Sequence, residues 1–177
     1  MPLSSNNTVK KILGGVFFLL LFLQFNLLPD LGLFWLNLAL GWLLVLILVG
    51  FPFGPLLTFA FLAGFFLDVY GSVPFGFNLA LWPLIVLALY WVAGEILSLE
   101  RNLFSSCVFL FLGFFLFFLL SWIGAGVISG NFSFWSGNIF VSARGWLYLI
   151  LNTGAALLWF FAFNYFHIKE KINAKRI

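Results

Sequence analysis

Charged residues are scarce in this sequence of 177 residues: only 7% are Asp, Glu, Lys or Arg, whereas 64% are hydrophobic. A soluble domain carries about 25% charged residues, so this composition does not suit a surface that faces water. We therefore expect an all-α integral membrane protein, and the length predicts a single domain. The net charge of +3 is small and lies near the chain ends, which gives no indication of nucleic-acid binding.

Cysteine and histidine are almost absent. Cys107 is the single cysteine, so no internal disulfide is possible, and we expect a small packing residue. The single histidine, His167, has no Cys, Asp or second His near it in the sequence, so no metal site is predicted. No glycine-rich phosphate loop precedes a helix, and Ser105 and Ser106 have no base beside them. The sequence predicts no catalytic residues, no cofactor and no enzymatic activity.

Long apolar runs predict six transmembrane helices, because a spanning helix needs roughly 20 mostly apolar residues. Pro29 and Asp30 end the first run, and the prolines and glycines of "GFPFGP" at 50–55 end the second. Pro83 is expected to kink the fourth helix. The predicted spans are residues 12–28, 31–49, 56–70, 77–97, 103–128 and 146–166. This division gives an N-terminal tail at 1–11, a six-helix domain at 12–166 and a basic tail at 167–177.

Cations are distributed unequally between the two sides that six spans define. One side, with both termini, holds seven cations, and the other holds one. The seven are Lys10, Lys11, Arg101, Lys169, Lys171, Lys175 and Arg176, and the single one is Arg144. Cytoplasmic segments are rich in Lys and Arg, so both termini are predicted to be cytoplasmic and residues 129–145 to lie outside. A count of five spans would separate the C-terminal cations from Lys10 and Lys11.

Small and polar residues predict where helices approach each other. Ala60, Gly64 and Asp68 follow at intervals of four on the third helix, and residues 152–156 give the sixth helix a small polar face. Small residues allow close approach, and amides and hydroxyls hydrogen-bond between membrane helices. By contrast, residues 109–120 of the fifth helix are bulky on all sides, and we expect them to face lipid or a partner.

The stretch "LDVYGSVPFGFN" at 67–78 breaks the apolar pattern, because it holds an acid, three turn-forming residues and an amide. Asp68 lies in the last turn of the third helix, where the negative end of the helix dipole opposes a carboxylate. Asp68 therefore has another role. It either accepts backbone N–H bonds from the following turn, around Gly71 and Ser72, or pairs with another group. Arg144, the one predicted cation outside, is a candidate for an ion pair with Asp68.

"GFFLD" at 64–68 is followed by "GSVPFGFNLA" at 71–80, and Pro-Asp at 29–30 stands before the predicted second helix. These motifs resemble the signature of the rod-shape-determining protein MreD family. The similar part covers roughly residues 29–100. One departure is the turn "GFPFGP", which often carries basic residues in the family and has none here. The motif positions are Pro29, Asp30, Gly64, Asp68, Gly71, Pro74, Gly76 and Asn78.

The resemblance implies a non-enzymatic subunit of the bacterial cell-elongation complex in the plasma (inner) membrane. Such a subunit supports lateral peptidoglycan synthesis and cell shape. Its implied partner is the single-span protein MreC, and the indirect partners are MreB filaments, RodA and a penicillin-binding protein. The motif residues are then structural or interaction residues rather than catalytic ones.

A second class of protein has a similar general form. The substrate-binding subunits of energy-coupling-factor vitamin transporters are also small six-helix membrane proteins. Such a binder needs polar groups that converge on an outward-facing pocket. Asp68, Asn78, Asn131, Asn138 and Arg144 are the residues that could line one, and they do not indicate a particular ligand.

Overall fold

The described part of the chain is entirely helical apart from its connecting turns. This computed structural model describes residues 7–33, 36–70, 74–96, 103–129 and 143–174. Helix α1 covers Asn7–Phe22 and continues through a π-helical turn at Leu23–Leu27 into a last turn at Leu28–Asp30. The other helices are α2 (Leu38–Leu48), α3 (Phe53–Tyr70), α4 (Phe77–Ile96), α5 (Leu103–Ser129) and α6 (Ala143–Ala174). The all-α prediction is confirmed for these residues.

Five of these helices, all except α2, contain a segment that is long and apolar enough to cross a membrane. The predicted second span, residues 31–49, is helical only over the 11 residues of Leu38–Leu48. At 1.5 Å per residue this helix rises about 16 Å, roughly half the ~30 Å hydrocarbon core of a bilayer. The prediction of six full-length helices is therefore not confirmed: the described chain has five candidate spans and one shorter apolar helix.

Helix α2 lies in the core of the bundle. Every residue from 39 to 48 is buried, which is the pattern of a helix that is apolar all round and enclosed by other helices. A Cβ on Gly41 would meet the Cβ of Ala156 in α6 at 3.5 Å, and a Cβ on Gly113 of α5 would meet Leu44 at 2.8 Å. Glycines thus bring α5 and α6 close to the central helix.

Glycines in the left-handed conformation end α1 and α2. Gly32 has φ +70° and Gly50 has φ +80°. Around Gly32, the N–H of Leu33 bonds to the carbonyl of Leu28, and the N–H of Gly32 bonds to the carbonyl of Pro29. Residues 46–51 repeat this pair of bonds around Gly50, so both helices end in a Schellman motif.

The first helix was predicted to stop at Pro29-Asp30, and its last helical residue is Asp30, two residues beyond the predicted span of 12–28. Proline inside an α-helix clashes with the carbonyl four residues earlier. Here a π-helical turn precedes it, and the N–H of Leu28 bonds to the carbonyl of Leu23, five residues earlier. The changed register lets the helix continue through Pro29 as far as Asp30.

Ring contacts define the relative directions of α1 and α3. Phe17 packs on Phe59 with ring centroids 4.8 Å apart, and Phe25 stacks on Tyr70 at 5.2 Å. The residue numbers of these contacts increase in the same direction along both helices, so α1 and α3 run parallel. We call the end of the bundle where α1 finishes at Asp30 and α3 finishes at Tyr70 the upper end.

Helices α2 and α6 also run parallel to each other. Gly41 lies against Ala156, and the Trp42 ring packs against Trp159 and Phe163 further along α6. Helices α3 and α4, and α4 and α5, are antiparallel pairs. The contacts that show this are Phe53 with Tyr90 and Phe65 with Phe75, then Trp82 with Phe117 and Leu89 with Gly113. Phe118 of α5 packs on Tyr148 near the start of α6, and Phe114 lies with Ala156 against Gly41, so α5 and α6 are antiparallel too. Successive helices therefore alternate in direction, and α2, α4 and α6 begin at the upper end.

The outer surface of the bundle is strongly apolar. Phe104 is 76% exposed, Leu158 is 72% exposed and Trp91 is 70% exposed. Such side chains would be unfavourable in water, and lipid tails are their natural surroundings. The fold is compatible with a multi-pass membrane protein.

Residues 109–120 were expected to face lipid or a partner, and this is wrong for one face of α5. Phe109, Leu110, Gly113 and Phe114 are all buried. They recur at helical spacing and pack into the core beside α2. The uniform bulk of the sequence concealed this face, because large apolar side chains suit a lipid surface and a protein interior equally well.

Candidate functional site

Asp68 is the centre of a hydrogen-bonded unit at the upper end. It is only 6% exposed. One carboxylate oxygen, Oδ1, accepts bonds from the backbone N–H of Asn78 at 2.8 Å and from its side-chain amide at 3.0 Å. The other oxygen, Oδ2, accepts from the backbone N–H of Gly76 at 2.8 Å and of Leu79 at 2.9 Å. Four donors therefore converge on one carboxylate.

Three of these donors are backbone N–H groups at the start of α4, and the fourth is the side-chain amide of Asn78. A helix leaves its first N–H groups without partners inside the helix, and an N-cap side chain normally accepts one or two of them. Gly76 occupies the N-cap position and has no side chain, so Asp68 of the preceding helix takes over that task. The N–H of Phe77 bonds to the carbonyl of Pro74 at 3.2 Å. The start of α4 is thus fully hydrogen-bonded without water.

The dipole of α4 offsets the unfavourable dipole interaction of Asp68 with its own helix, α3. At the end of its own helix it faces the negative end of the dipole, but it lies at the positive end of α4. The prediction that it accepts backbone N–H bonds is confirmed in kind, with donors at Gly76, Asn78 and Leu79. The predicted donors, Gly71 and Ser72, lie outside the described residues.

Glycines at two positions allow this geometry. Gly76 has φ +99°, a conformation that side chains other than glycine rarely adopt. At Gly64, a Cβ would meet the carbonyl oxygen of Asn78 and would lie 2.9 Å from the Cα of Leu79. Helix α3 therefore touches the backbone of α4 directly, which brings Asp68 within hydrogen-bonding distance. The predicted close face of α3 is confirmed: Ala60, Gly64 and Asp68 are all buried.

The remaining motif residues lie apart from this unit or outside the described chain. Pro29 and Asp30 form the exposed end of α1. Pro74 is exposed in the turn before α4. Gly71 lies outside the described residues, as does the side chain of Arg144, so the ion pair with Asp68 stays a prediction.

A second polar cluster, which was not predicted from the sequence, lies at the upper end on α2. The backbone N–H of Asn37 donates to Oδ1 of Asn152 at 2.6 Å, and that of Ala39 donates to Oε1 of Gln24 at 3.0 Å. The N–H of Leu40 donates to Oδ1 of Asn37 at 3.1 Å. The available signal was the presence of single amides inside apolar runs at 24 and 37. Asn152 was included in the predicted polar face of α6, and its burial, with that of Thr153 and Ala156, confirms that face in part.

The chemistry of both clusters is that of helix capping. Carboxylate and amide oxygens accept backbone N–H bonds, and buried donors are satisfied within the protein. In the described residues, no three or more His, Cys, Asp and Glu side chains gather where they could hold a metal ion. Comparison of the chain with family models, curated proteins and solved structures finds no match.

Proposed function

We propose that this chain is a non-enzymatic membrane subunit of the bacterial cell-elongation machinery, of the MreD type. The observation that carries the proposal is that four residues of the MreD-like signature act together: Asp68, Gly64, Gly76 and Asn78 all belong to the capped hairpin of α3 and α4. A motif whose members share one folding task is more specific than the same residues scattered in apolar sequence. This supports a relationship through a structural hairpin rather than through a reaction centre.

The proposed topology has six crossings with both termini in the cytoplasm of the bacterial plasma membrane. Alternating helix directions support it, because α1 begins and α6 ends at the same end of the bundle, opposite the upper end. The short α2 still allows a crossing. Helices α1 and α3 both finish at the upper end, so α2 and the turn after it return the chain to the opposite end, where α3 begins. The predicted excess of Lys and Arg at that end gives the orientation.

The proposed partner is a single-span membrane protein of the MreC type, through which the chain connects to MreB filaments, RodA and a penicillin-binding protein. A tagged full-length chain extracted in mild detergent should co-purify with such a protein. Depletion of the chain should make rod-shaped cells round or swollen. The gene neighbourhood gives a further check, since MreB and MreC genes beside this one would support the proposal.

Two variants test whether cell shape and partner binding depend on the hairpin of α3 and α4. In a depletion strain, Asp68→Ala should fail to restore rod shape and should lose the partner, because the start of α4 is no longer capped. Asn26→Ala, which alters an exposed polar residue at the same end and outside the motif, should restore both. If the chain instead purified with a bound vitamin and its depletion left cell shape unchanged, the transporter-subunit function would replace this proposal.

A further inference from the structure

The start of α2 is held by amides from two other helices. Gln24 belongs to α1 and Asn152 to α6, and Asn37 is the N-cap of α2 itself. Asn37 is 8% exposed and Asn152 is 2% exposed. The side-chain amide of Asn152 also donates to the carbonyl of Tyr148 at 2.9 Å, which fixes its orientation along α6.

The π-helical turn of α1 places Gln24 in this cluster. A π-helical turn uses hydrogen bonds over five residues instead of four. It therefore changes the directions of its side chains relative to those of the preceding α-helix. Among the described residues, the side chain of Asn26 in the same turn donates to the carbonyl of Phe22 in its own helix, at 3.1 Å, and Asn26 is exposed. Only one of these two amides therefore reaches α2.

A helix that begins among apolar side chains needs such acceptors. Asn37 is 8% exposed and Ala39 is fully buried, so water does not reach these N–H groups, and an unsatisfied group there is strongly unfavourable. Helix α2 satisfies one of them through its own Asn37, and it depends on α1 and α6 for two more. One of these two acceptors is contributed by the last helix of the chain.

We propose that Gln24, Asn37 and Asn152 form an amide lock, and that it holds the first turn of α2 independently of the Asp68 hairpin. Their hydrogen bonds join different helices: α1 and α6 to α2 in the amide lock, and α3 to α4 in the hairpin. Opening the amide lock then exposes the start of α2 while the start of α4 stays closed. This goes beyond the proposed function, because it assigns a separate conformational unit to the upper end.

Thiol reactivity at matched positions tests the independence of the two units. Leu38 and Leu79 are both half-buried residues in the first turn of a capped helix. Each is changed to Cys in the full-length Cys107→Ser protein in detergent, and the rate of alkylation is measured. Asn152→Leu should raise the rate at position 38 by about tenfold and leave position 79 unchanged, because a buried N–H loses its acceptor. Asp68→Ala should do the reverse.

Two further variants keep the test decisive if Asn152→Leu fails to fold. Asn152→Asp retains an acceptor oxygen and should keep position 38 protected, whereas Gln24→Leu should expose it. Asn26→Leu, the matched change in the same turn, should have no effect. The proposal is overturned if Gln24→Leu or Asn152→Leu leaves position 38 unchanged, or if either raises the rates at 38 and 79 together.

Discussion

The capping of α4 explains why an apolar chain keeps an acid at position 68. An acid in a membrane helix is unfavourable unless its oxygens are hydrogen-bonded. Asp68 meets that condition with four donors, three of them from the backbone of the next helix. The backbone N–H donors remain when side chains at Gly76, Asn78 or Leu79 are changed. The acceptor is lost when Asp68 is changed. Asp68 is therefore the most sensitive position of the hairpin.

Replacement of Asp68 by Ala should lower the free energy of unfolding by about 2–4 kcal/mol, since it removes a cap and leaves buried N–H groups without acceptors. Asp68→Asn should also destabilise, by about 1–3 kcal/mol, because its NH₂ group would face the N–H donors of Gly76 and Leu79. Reversible denaturation in detergent measures both changes. The exposed Asp30→Asn is the control and should change stability by less than about 0.5 kcal/mol. Equal effects of Asp68→Asn and Asp30→Asn would contradict the capping role.

A double-mutant cycle tests whether Arg144 adds an ion pair to this carboxylate. If the two side chains interact, Asp68→Asn and Arg144→Gln should each destabilise, and the double variant should lose less than the sum. The same denaturation measurement gives the coupling energy. Additivity within about 0.3 kcal/mol would reject the pair and leave Asp68 as a cap alone.

At the scale of the helices, close approach depends on single glycines at backbone contacts. A Cβ at Gly64 would lie 2.8 Å from the carbonyl carbon of Asn78 and 2.9 Å from the Cα of Leu79. Backbone atoms in the first turn of a capped helix cannot move aside as a flexible side chain can. The distance between α3 and α4, and with it the capping bonds of Asp68, is thus set by this glycine.

Gly64→Ala should therefore destabilise the protein by about 1–3 kcal/mol through overpacking. It should also speed hydrogen exchange at the N–H groups of Asn78 and Leu79, because α4 is pushed away from Asp68. Gly154→Ala is the matched control, since a Cβ there meets nothing within 4 Å. It should be neutral or slightly stabilising. Unchanged exchange at both N–H groups in Gly64→Ala would show that the hairpin tolerates a wider spacing.

The sequence predicted the helices whose apolar length matches a bilayer, and it failed where three-dimensional contacts decide. Positions of α3, α4 and α5 differ little from the prediction, because prolines, glycines and polar residues separate them. Helix α2 was predicted too long, since the residues before it are mostly apolar. It begins only after Asn37, which caps it and whose backbone N–H bonds to Asn152 from a distant part of the chain. The role of Asp68 as an acceptor was predictable from its cost at a helix end. Its actual donors were not, because they follow from the contact at Gly64.

At the scale of the whole molecule, the direction of each helix and the distribution of charge support the same topology. Helices α1 and α3 end at the upper end, and α2, α4 and α6 begin there. Of the described positions at this end, Asp30 and Pro74 are exposed. Lys11, exposed near the start of α1, lies at the opposite end with the last turns of α6. The connection through α2 is the decisive point, since a short helix that did not cross would reverse everything after it.

Cysteine labelling in intact cells tests this connection in a Cys107→Ser background. Asp30→Cys and Pro74→Cys should both react with a membrane-impermeant reagent, because α2 and α3 together return the chain to the upper end. Ser136→Cys, in the predicted outside segment, should react as well, and Asn173→Cys should react only after the cells are opened. Reaction of Asp30→Cys without Pro74→Cys would mean that α2 does not cross. Reaction of Asn173→Cys in intact cells, without Ser136→Cys, would mean that the orientation derived from the cations is inverted.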